Sequence, residues 1–206
     1  MSLRYALLLD AGFLKYQIGS AQSPMDEKAV LAFVATVAAL PELKDMRLHR
    51  IYFYDSKPLG DTSINPIDGS TIDFGKSATF SRNTRMHEAL CRAPFFSMRY
   101  GELHQQGWEL KRRVLNKAKA AKLAGIGAGD IQPNISQKGV DMRIGLDIAS
   151  LTLKKHVDVI VLVTADSDLI PAMKLARREG AQLFLINLGH GVKDGMREHA
   201  DLVIET

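Results

Sequence analysis

The chain has 206 residues, 46% of them hydrophobic, and a formal net charge of +4. This length can bury the core of one α/β domain, while the single cysteine, Cys91, excludes an internal disulfide and favours a reducing compartment. The apolar runs fall well short of the roughly 20 residues that a membrane-spanning helix needs, and the N-terminus lacks a secretory signal pattern. We therefore expect one cytoplasmic domain, residues 1–206, with no membrane partner.

The first half of the chain alternates apolar strand-like runs with amphipathic helices. Residues 4–9 form a continuous apolar run, which is typical of a strand buried on both faces. The predicted elements that follow are a helix beginning near Phe13, a helix over 24–40, a strand over 49–54, a loop over 56–78, a helix over 79–93 and a strand over 95–103 that 107–110 extends as a ribbon.

The second half opens with a basic, Ala-rich and then Gly-rich stretch, residues 111–129, which is either a helix with a mobile end or a disordered insertion. The elements predicted after it are a helix over 141–153, a strand over 157–163, a helix over 171–180, a strand over 182–187, a short helix over 192–199 and an edge strand over 201–204. Strands alternating with helices predict a three-layer α/β fold with a mainly parallel central sheet of about five strands.

Acidic side chains follow two of the predicted strands at the point where each strand ends. Asp10 closes the first strand, and Asp166 and Asp168 follow the strand over 157–163 after Thr164 and Ala165. Ligands of open parallel sheets bind outside the carboxyl ends of the strands, and carboxylates that converge there repel one another unless a cation lies between them. Asp141, at the start of a predicted helix, is the third candidate. The pattern indicates a hard metal ion and phosphate chemistry.

Each of these carboxylates also has an ordinary structural explanation. Asp166 and Asp168 could cap a helix, and Asp10 could form a turn. Asp141 could stabilise its helix, because a negative charge in the first turn interacts favourably with the helix dipole. Asp147 lies about 120° from Asp141 around a shared helix, so the two cannot easily hold one ion, and a structural role is the expected one for Asp147.

Positive charge is concentrated in the middle of the chain. The segment from Lys76 to Gly125 carries 11 Lys and Arg residues against three Glu, as an enzyme that acts on a polyanion requires. The alternative is a solvated basic helix, Lys111 to Lys122, without a partner. The candidates for phosphate contact are Arg82, Arg85, Lys111, Arg112, Arg113 and Lys138.

Taken together, these motifs resemble the NYN domain of the PIN-like nuclease group, and most closely its LabA-like branch. The resemblance covers nearly the whole chain and rests on the motifs Leu8-Leu9-Asp10, Gln137-Lys138-Gly139-Val140-Asp141 through Asp147, Leu162-Val163-Thr164-Ala165-Asp166-Ser167-Asp168-Leu169, Gly180 and Ala200-Asp201. It implies a PIN-like fold, a basic variable insertion around 104–136, and cleavage of RNA that depends on Mg²⁺ or Mn²⁺. The acidic cluster of the family falls on Asp10, Asp141 and Asp166, with Asp168 as an accessory carboxylate.

One position departs from the family pattern, because Phe13 stands where many members have Asn. Phe13 could stack on a base, mark a weakened or lost activity, or be the first core residue of a helix.

Other folds that bind a metal ion or a nucleotide match the sequence less well. A haloacid-dehalogenase-type site needs an Asp where Gly12 stands, and a Toprim-type site needs Glu in place of Asp10. A dinucleotide site needs a glycine-rich turn after the first strand, which this sequence lacks. The rival from another class is a non-catalytic RNA-binding or regulatory protein with the same fold. RNA is the expected partner in both cases, and the sequence leaves open whether the chain forms a homodimer.

Overall fold

One large sheet organises the protein in a computed structural model that describes residues 2–118 and 125–205 and leaves out Met1, residues 119–124 and Thr206. The strands are β1 (Arg4–Asp10), β2 (Arg47–Ser56), β3 (Thr62–Ile64), β4 (Thr71–Asp73), β5 (Phe96–Leu110), β6 (Ile131–Lys138), β7 (Val159–Val163), β8 (Gln182–Ile186) and β9 (Leu202–Ile204). Seven of them form the sheet in the order β6-β5-β2-β1-β7-β8-β9, and β3 and β4 form a separate antiparallel pair. Only the edge strand β6 runs antiparallel to its neighbour in the seven-stranded sheet as described.

Helices cover both faces of this sheet. They are α1 (Ala11–Gln17), α2 (Glu27–Ala38), α3 (Ala78–Arg92), α4 (Arg112–Ala118), α5 (Val140–Leu153), α6 (Ile170–Arg178) and α7 (Asp194–Glu198). The first three pack on one face and the last three on the other, and each face has its own buried cluster. In β1, Leu7 and Leu9 enter one cluster while Ala6 and Leu8 enter the other, which explains why this strand is apolar from Tyr5 to Leu9. The predicted three-layer α/β fold is therefore confirmed.

The order of the strands reverses next to β1. The chain passes from β1 to β2 and β5 on one side, and later returns to place β7, β8 and β9 on the other side. β1 and β7 are parallel neighbours, with Leu9 opposite Val163. The carboxyl ends of these two strands form the switch point at which open α/β sheets bind their ligands.

The sheet has more strands than the sequence predicted. The edge strand β9 was expected, whereas β6 was not, because Pro133 and several polar residues interrupt any apolar pattern there. An edge strand tolerates a proline at a bulge, and Pro133 lies opposite Trp108 beside the irregularity in the β5–β6 pairing. The predicted loop over 56–78 contains the short hairpin of β3 and β4.

The outer half of β5 and the whole of β6 form an arm that extends past the rest of the sheet. β5 pairs with β2 only as far as Gly101, opposite Ser56, and then continues to Leu110 with β6 alone. A regular strand of nine residues spans roughly 30 Å at about 3.3 Å per residue. The basic stretch after Lys111 begins helix α4 at the end of this arm, and its remainder over 119–124 lies outside the described residues. Among the helices that are described, none is long and apolar enough to cross a membrane.

Candidate active site

Asp10 ends β1 and is only 8% exposed. Its Oδ1 caps α1 by accepting the backbone N–H groups of Gly12 at 2.9 Å and Phe13 at 3.4 Å. Burial raises the pKa of Asp10, the hydrogen bonds that it accepts lower that pKa in part, and the negative charge of Asp141 raises it further. Asp10 is thus a buried carboxylate whose pKa is also raised by a second acidic group.

Thr164 connects Asp10 to the segment that follows β7. This residue is fully buried, its hydroxyl donates to Asp10 Oδ2 at 2.9 Å, and its Oγ1 accepts the backbone N–H of Asp166 at 3.1 Å. The connection follows from strand register, because Leu9 is paired with Val163 and the next residues on each strand are Asp10 and Thr164. Thr164 therefore holds the carboxyl ends of β1 and β7 in a fixed relation.

Asp166 and Asp168 lie in a short 3₁₀ turn between β7 and α6. Asp166 accepts the backbone N–H of Asp168 at 2.9 Å, so it caps this turn. Asp168 is exposed, and its carboxylate makes no hydrogen bond within the described part of the chain. Between them, Ser167 accepts a hydrogen bond from Lys193 Nζ at 2.8 Å. Lys193 adds a positive charge beside Ser167. The sequence did not predict this contact, because Lys193 lies in a loop 26 residues after Ser167.

Asp141 stands in the first turn of α5, and the turn before it depends on a glycine. Gly139 adopts a left-handed conformation with φ 75°, which glycine adopts without steric cost. Partial burial raises the pKa of the Asp141 carboxyl group, and the negative charges of Asp166 and Asp168 raise it further. Asp141 is therefore electrostatically coupled to all three of the other carboxylates that the sequence singled out.

These carboxylates are neighbours, yet their side chains do not form a ready-made metal cage. Across residues 2–118 and 125–205, no three His, Cys, Asp or Glu side chains stand close enough together to hold a metal ion. The donor set nevertheless fits a hard cation, because Mg²⁺ binds oxygen ligands, usually through one or two carboxylates with several waters. Asp141 and Asp168 are exposed, so their side chains are free to turn toward a cation, and Asp10 keeps unused lone pairs after its three hydrogen bonds.

Asp147 and Phe13 both have structural roles, which the sequence analysis gave as one interpretation of each residue. Asp147 accepts hydrogen bonds from Arg99 Nε at 2.7 Å and from the Tyr54 hydroxyl at 2.9 Å. These bonds connect helix α5 to strands β2 and β5. Phe13 is half-buried, packs against the core and meets the ring of His190 edge-on at 6.0 Å. Of the three explanations for Phe13, a core residue at the start of a helix is the one that the structure supports.

The basic residues predicted to contact phosphate do not lie together. Lys138 is exposed at the end of β6, three residues before Asp141, and Arg82 lines a cavity beside α1. Arg85 is exposed one turn further along α3. The remaining three, Lys111, Arg112 and Arg113, lie at the end of the arm, where Lys111 Nζ and Arg113 Nη2 both donate to the carbonyl oxygen of Gly129.

The sequence profile of the NYN domain matches residues 67–205, about two-thirds of the chain. The chain belongs to the NYN domain family. Members of this family fall in the PIN-like nuclease group and are typically ribonucleases, which generally use divalent metal ions. The matched region of this NYN domain contains Asp141, Asp166 and Asp168, whereas Asp10 precedes it. The LabA-like assignment stays a prediction.

Two individual proteins resemble this NYN domain. An uncharacterized protein of Methanocaldococcus jannaschii is 32% identical over 74 residues, which cover 36% of this chain, and the chain spans only 31% of that relative. A crystal structure of a protein of unknown function from Vibrio parahaemolyticus matches 99% of this chain and 93% of its own, with a TM-score of 0.54 and 14% identity. At that identity the likeness shows the fold alone, and it agrees with the three-layer architecture.

Replacing Thr164 by valine tests whether the bridge between β1 and β7 positions Asp10. The change keeps the shape but leaves Asp10 Oδ2 without its hydroxyl donor, so we expect destabilisation by about 1–3 kcal/mol and a cleavage rate lower by about 10- to 100-fold. Chemical denaturation and an RNA cleavage assay would measure the two effects. Thr152→Val is the matched control, since Thr152 is equally buried and its hydroxyl has no partner among the described residues. Equal behaviour of both variants would contradict a positioning role for Thr164.

Proposed function

We propose that this NYN domain is a metal-dependent ribonuclease that hydrolyses RNA phosphodiester bonds at the carboxyl edge of β1 and β7. The observation that carries the proposal is the bridge through Thr164, which joins Asp10 at the end of β1 to Asp166 after β7 at the switch point of the sheet, where the negative charge of Asp141 also raises the pKa of Asp10. Carboxylates that raise one another's proton affinity gain stability from a shared cation.

Asp10, Asp141 and Asp166 would hold Mg²⁺ or Mn²⁺, with Asp168 binding directly or through water. When bound, such an ion supplies Lewis-acid stabilisation of the phosphate and a more acidic water. Hydrolysis joins a water oxygen to phosphorus, breaks one P–O ester bond and leaves a proton on the departing alcohol oxygen. Thr164 keeps Asp10 oriented through its hydrogen bond. Lys193 and Lys138 supply positive charge beside the carboxylates for the phosphate backbone.

A second candidate function is RNA binding without catalysis, in a regulatory protein that retains the fold. One observation favours it, because Phe13 stands where many family members have Asn. The two functions differ in turnover, since only the enzyme converts RNA in a metal-dependent reaction.

The experiment that separates them is a cleavage assay on single-stranded and structured RNA with the purified protein, in Mg²⁺, in Mn²⁺ and in EDTA. The proposed ribonuclease cleaves RNA with either metal and stops in EDTA. RNA binding without cleavage in any of the three conditions would favour the non-catalytic function. Sedimentation velocity on the same sample would test the homodimer, which stays a prediction.

The arm of β5 and β6 offers a second surface for RNA, because it projects past the carboxyl edge and ends in basic residues. We expect the double variant Arg112→Ala/Arg113→Ala to reduce the slope of log affinity against log salt concentration by about 0.7 for every phosphate of a single strand that these arginines neutralise. RNA binding measured across a salt series would show this change. The control is Lys44→Ala/Arg47→Ala, which removes two exposed cations at the opposite edge of the sheet. An unchanged slope in the first variant would mean that Arg112 and Arg113 face solvent only.

A further inference from the structure

The outward face of helix α5 is apolar along its whole length. We call this face the α5 stripe, and its residues are Met142, Leu146, Ala149 and Leu153. At 100° per residue, the stripe lies about 180° around the helix from Ile144 and Ile148, which pack in the core. Its three large side chains are 58% to 71% exposed, so no part of residues 2–118 and 125–205 covers them. A surface helix normally turns charged or polar residues outward, and this face is instead typical of a helix that packs against a partner.

The spacing of the α5 stripe is self-complementary. Its residues follow one another at intervals of four, three and four, as in the seam of a coiled coil. Because these intervals are the same in both chain directions, a second copy that lies antiparallel meets the stripe with the same four residues, as the two-fold axis of an isologous dimer requires. This axis brings Met142 against Leu153 of the partner subunit. It also brings the large Leu146 against the small Ala149 of the partner subunit, so the central pair fits without a clash.

The two ends of α5 carry opposite charges. Asp141 lies at the amino end, where the charges of Asp166 and Asp168 also act on it. The exposed residues Lys154 and Lys155 directly follow the last turn. An antiparallel pair sets the acidic end of each helix against the basic end of the other and opposes the two helix dipoles favourably, whereas a parallel pair brings like charges together. Charge complementarity therefore favours a second copy of this chain as the occupant of the stripe.

The area of the α5 stripe predicts a weak dimer. The stripe presents on the order of 300–400 Å² of apolar surface, comparable with the largest patch of a typical monomer. A standard interface buries about 800 Å² of each partner, so the stripe supplies the apolar centre and the flanks of α5 and α6 supply the polar rim. We therefore expect a dissociation constant on the order of 10 μM, at the weak end of the range that interfaces span.

We propose that two copies of this protein associate through the α5 stripe, with their α5 helices antiparallel about a two-fold axis between Asp147 and Ile148. Packed helices lie about 8–10 Å apart, so the basic end of each α5 stands beside the acidic edge of the other copy. The dimer thereby adds positive charge to each carboxylate site. The association does not depend on the ribonuclease function, because it rests on the shape and charge of α5 alone.

Sedimentation velocity over a concentration series of about 1–100 μM tests the association. The wild-type chain is expected to pass from monomer to dimer over this range. Leu146→Glu should stay monomeric, because it places two carboxylates in the apolar centre of the pair. The matched control is Leu31→Glu, which changes an exposed leucine of α2 on the other face of the sheet and should dimerise as the wild type does. Thermal unfolding checks that both variants fold.

Cysteine cross-linking tests the antiparallel register, in a Cys91→Ser background because Cys91 is exposed. The two-fold axis brings the α-carbon of Met142 close to that of Leu153 of the partner subunit, within the reach of a disulfide. It separates the two copies of Met142 by 11 residues of helix, about 16 Å. A mixture of Met142→Cys and Leu153→Cys proteins should therefore form a disulfide dimer with oxidised glutathione, whereas Met142→Cys alone should not.

A wild-type chain that is still monomeric at about 100 μM, roughly ten times the expected dissociation constant, would overturn the dimer and leave the α5 stripe to a partner of another kind. Undiminished association of Leu146→Glu would overturn the stripe as the interface. Efficient cross-linking of Met142→Cys alone would overturn the antiparallel arrangement. Loss of association in Leu146→Glu but not in Leu31→Glu, together with cross-linking only in the mixture, is the result that the proposal predicts.

Discussion

Replacing Asp10 or Asp166 by asparagine is expected to slow metal-dependent cleavage of RNA by roughly 100-fold or more, because each change removes a charged oxygen ligand from the carboxylate site. Asn retains the size and much of the capping ability of Asp, so α1 and the 3₁₀ turn after β7 should still form. The measurement is a single-turnover cleavage rate in saturating Mn²⁺. Folding of each variant is checked by circular dichroism and thermal unfolding.

The matched control for both variants is Asp45→Asn. Asp45 is an exposed carboxylate just before β2, at the opposite edge of the sheet, so the same chemical change there should leave the rate at the wild-type value. Full activity of Asp10→Asn or Asp166→Asn would refute the assignment of that residue. An equally large drop in rate for Asp45→Asn would mean that the assay reports net charge instead of the site.

Saturating Mg²⁺ is expected to stabilise the wild-type protein, by about 2.7 kcal/mol at a free concentration one hundred times its dissociation constant. The gain should be much smaller in Asp141→Asn, because the charge of Asp141 couples to that of Asp10, Asp166 and Asp168. Thermal unfolding over a Mg²⁺ series measures both gains. A rise in melting temperature that is identical in the wild type and in Asp141→Asn would contradict metal binding at these carboxylates.

In EDTA, without metal, we expect the folding stability of the protein to depend on pH through the ionisation of Asp10. Burial and neighbouring negative charge raise the pKa of Asp10 in the folded state, so between the ordinary pKa of Asp and the raised value the folded state binds more protons than the unfolded state. Stability therefore falls as pH rises through that window, and ionised Asp10 costs stability at neutral pH. We expect Asp10→Asn to melt higher than the wild type at pH 7 in EDTA. This advantage should disappear below about pH 3.9, the ordinary pKa of Asp.

The central sheet and the position of its acidic edge could be predicted because their signals are local. β1 is apolar from Tyr5 to Leu9 and β7 is apolar at every position, since both faces are covered, and such a run with Asp at or shortly after its end is visible in the sequence alone. These features depend on neighbours along the chain.

The features that sequence reasoning missed depend on neighbours in space. Strand β6 is polar and contains Pro133, and only its pairing with β5 makes it a strand. The bridge from Thr164 to Asp10 depends on the register of β1 against β7. Lys193 reaches Ser167 from a loop whose path no local pattern indicates.

Anomalous diffraction from crystals grown with Mn²⁺ tests most directly whether the carboxyl edge of β1 and β7 is a metal centre. The carboxylate site predicts an anomalous peak between Asp10, Asp141 and Asp166, with carboxylate oxygens at about 2.0–2.2 Å as for small octahedral cations, and with the side chains of Asp141 and Asp168 turned toward it. The peak should vanish in crystals of Asp141→Asn. A Mn²⁺ peak bound elsewhere on the molecule, with this edge empty at millimolar Mn²⁺, would contradict the proposed metal centre.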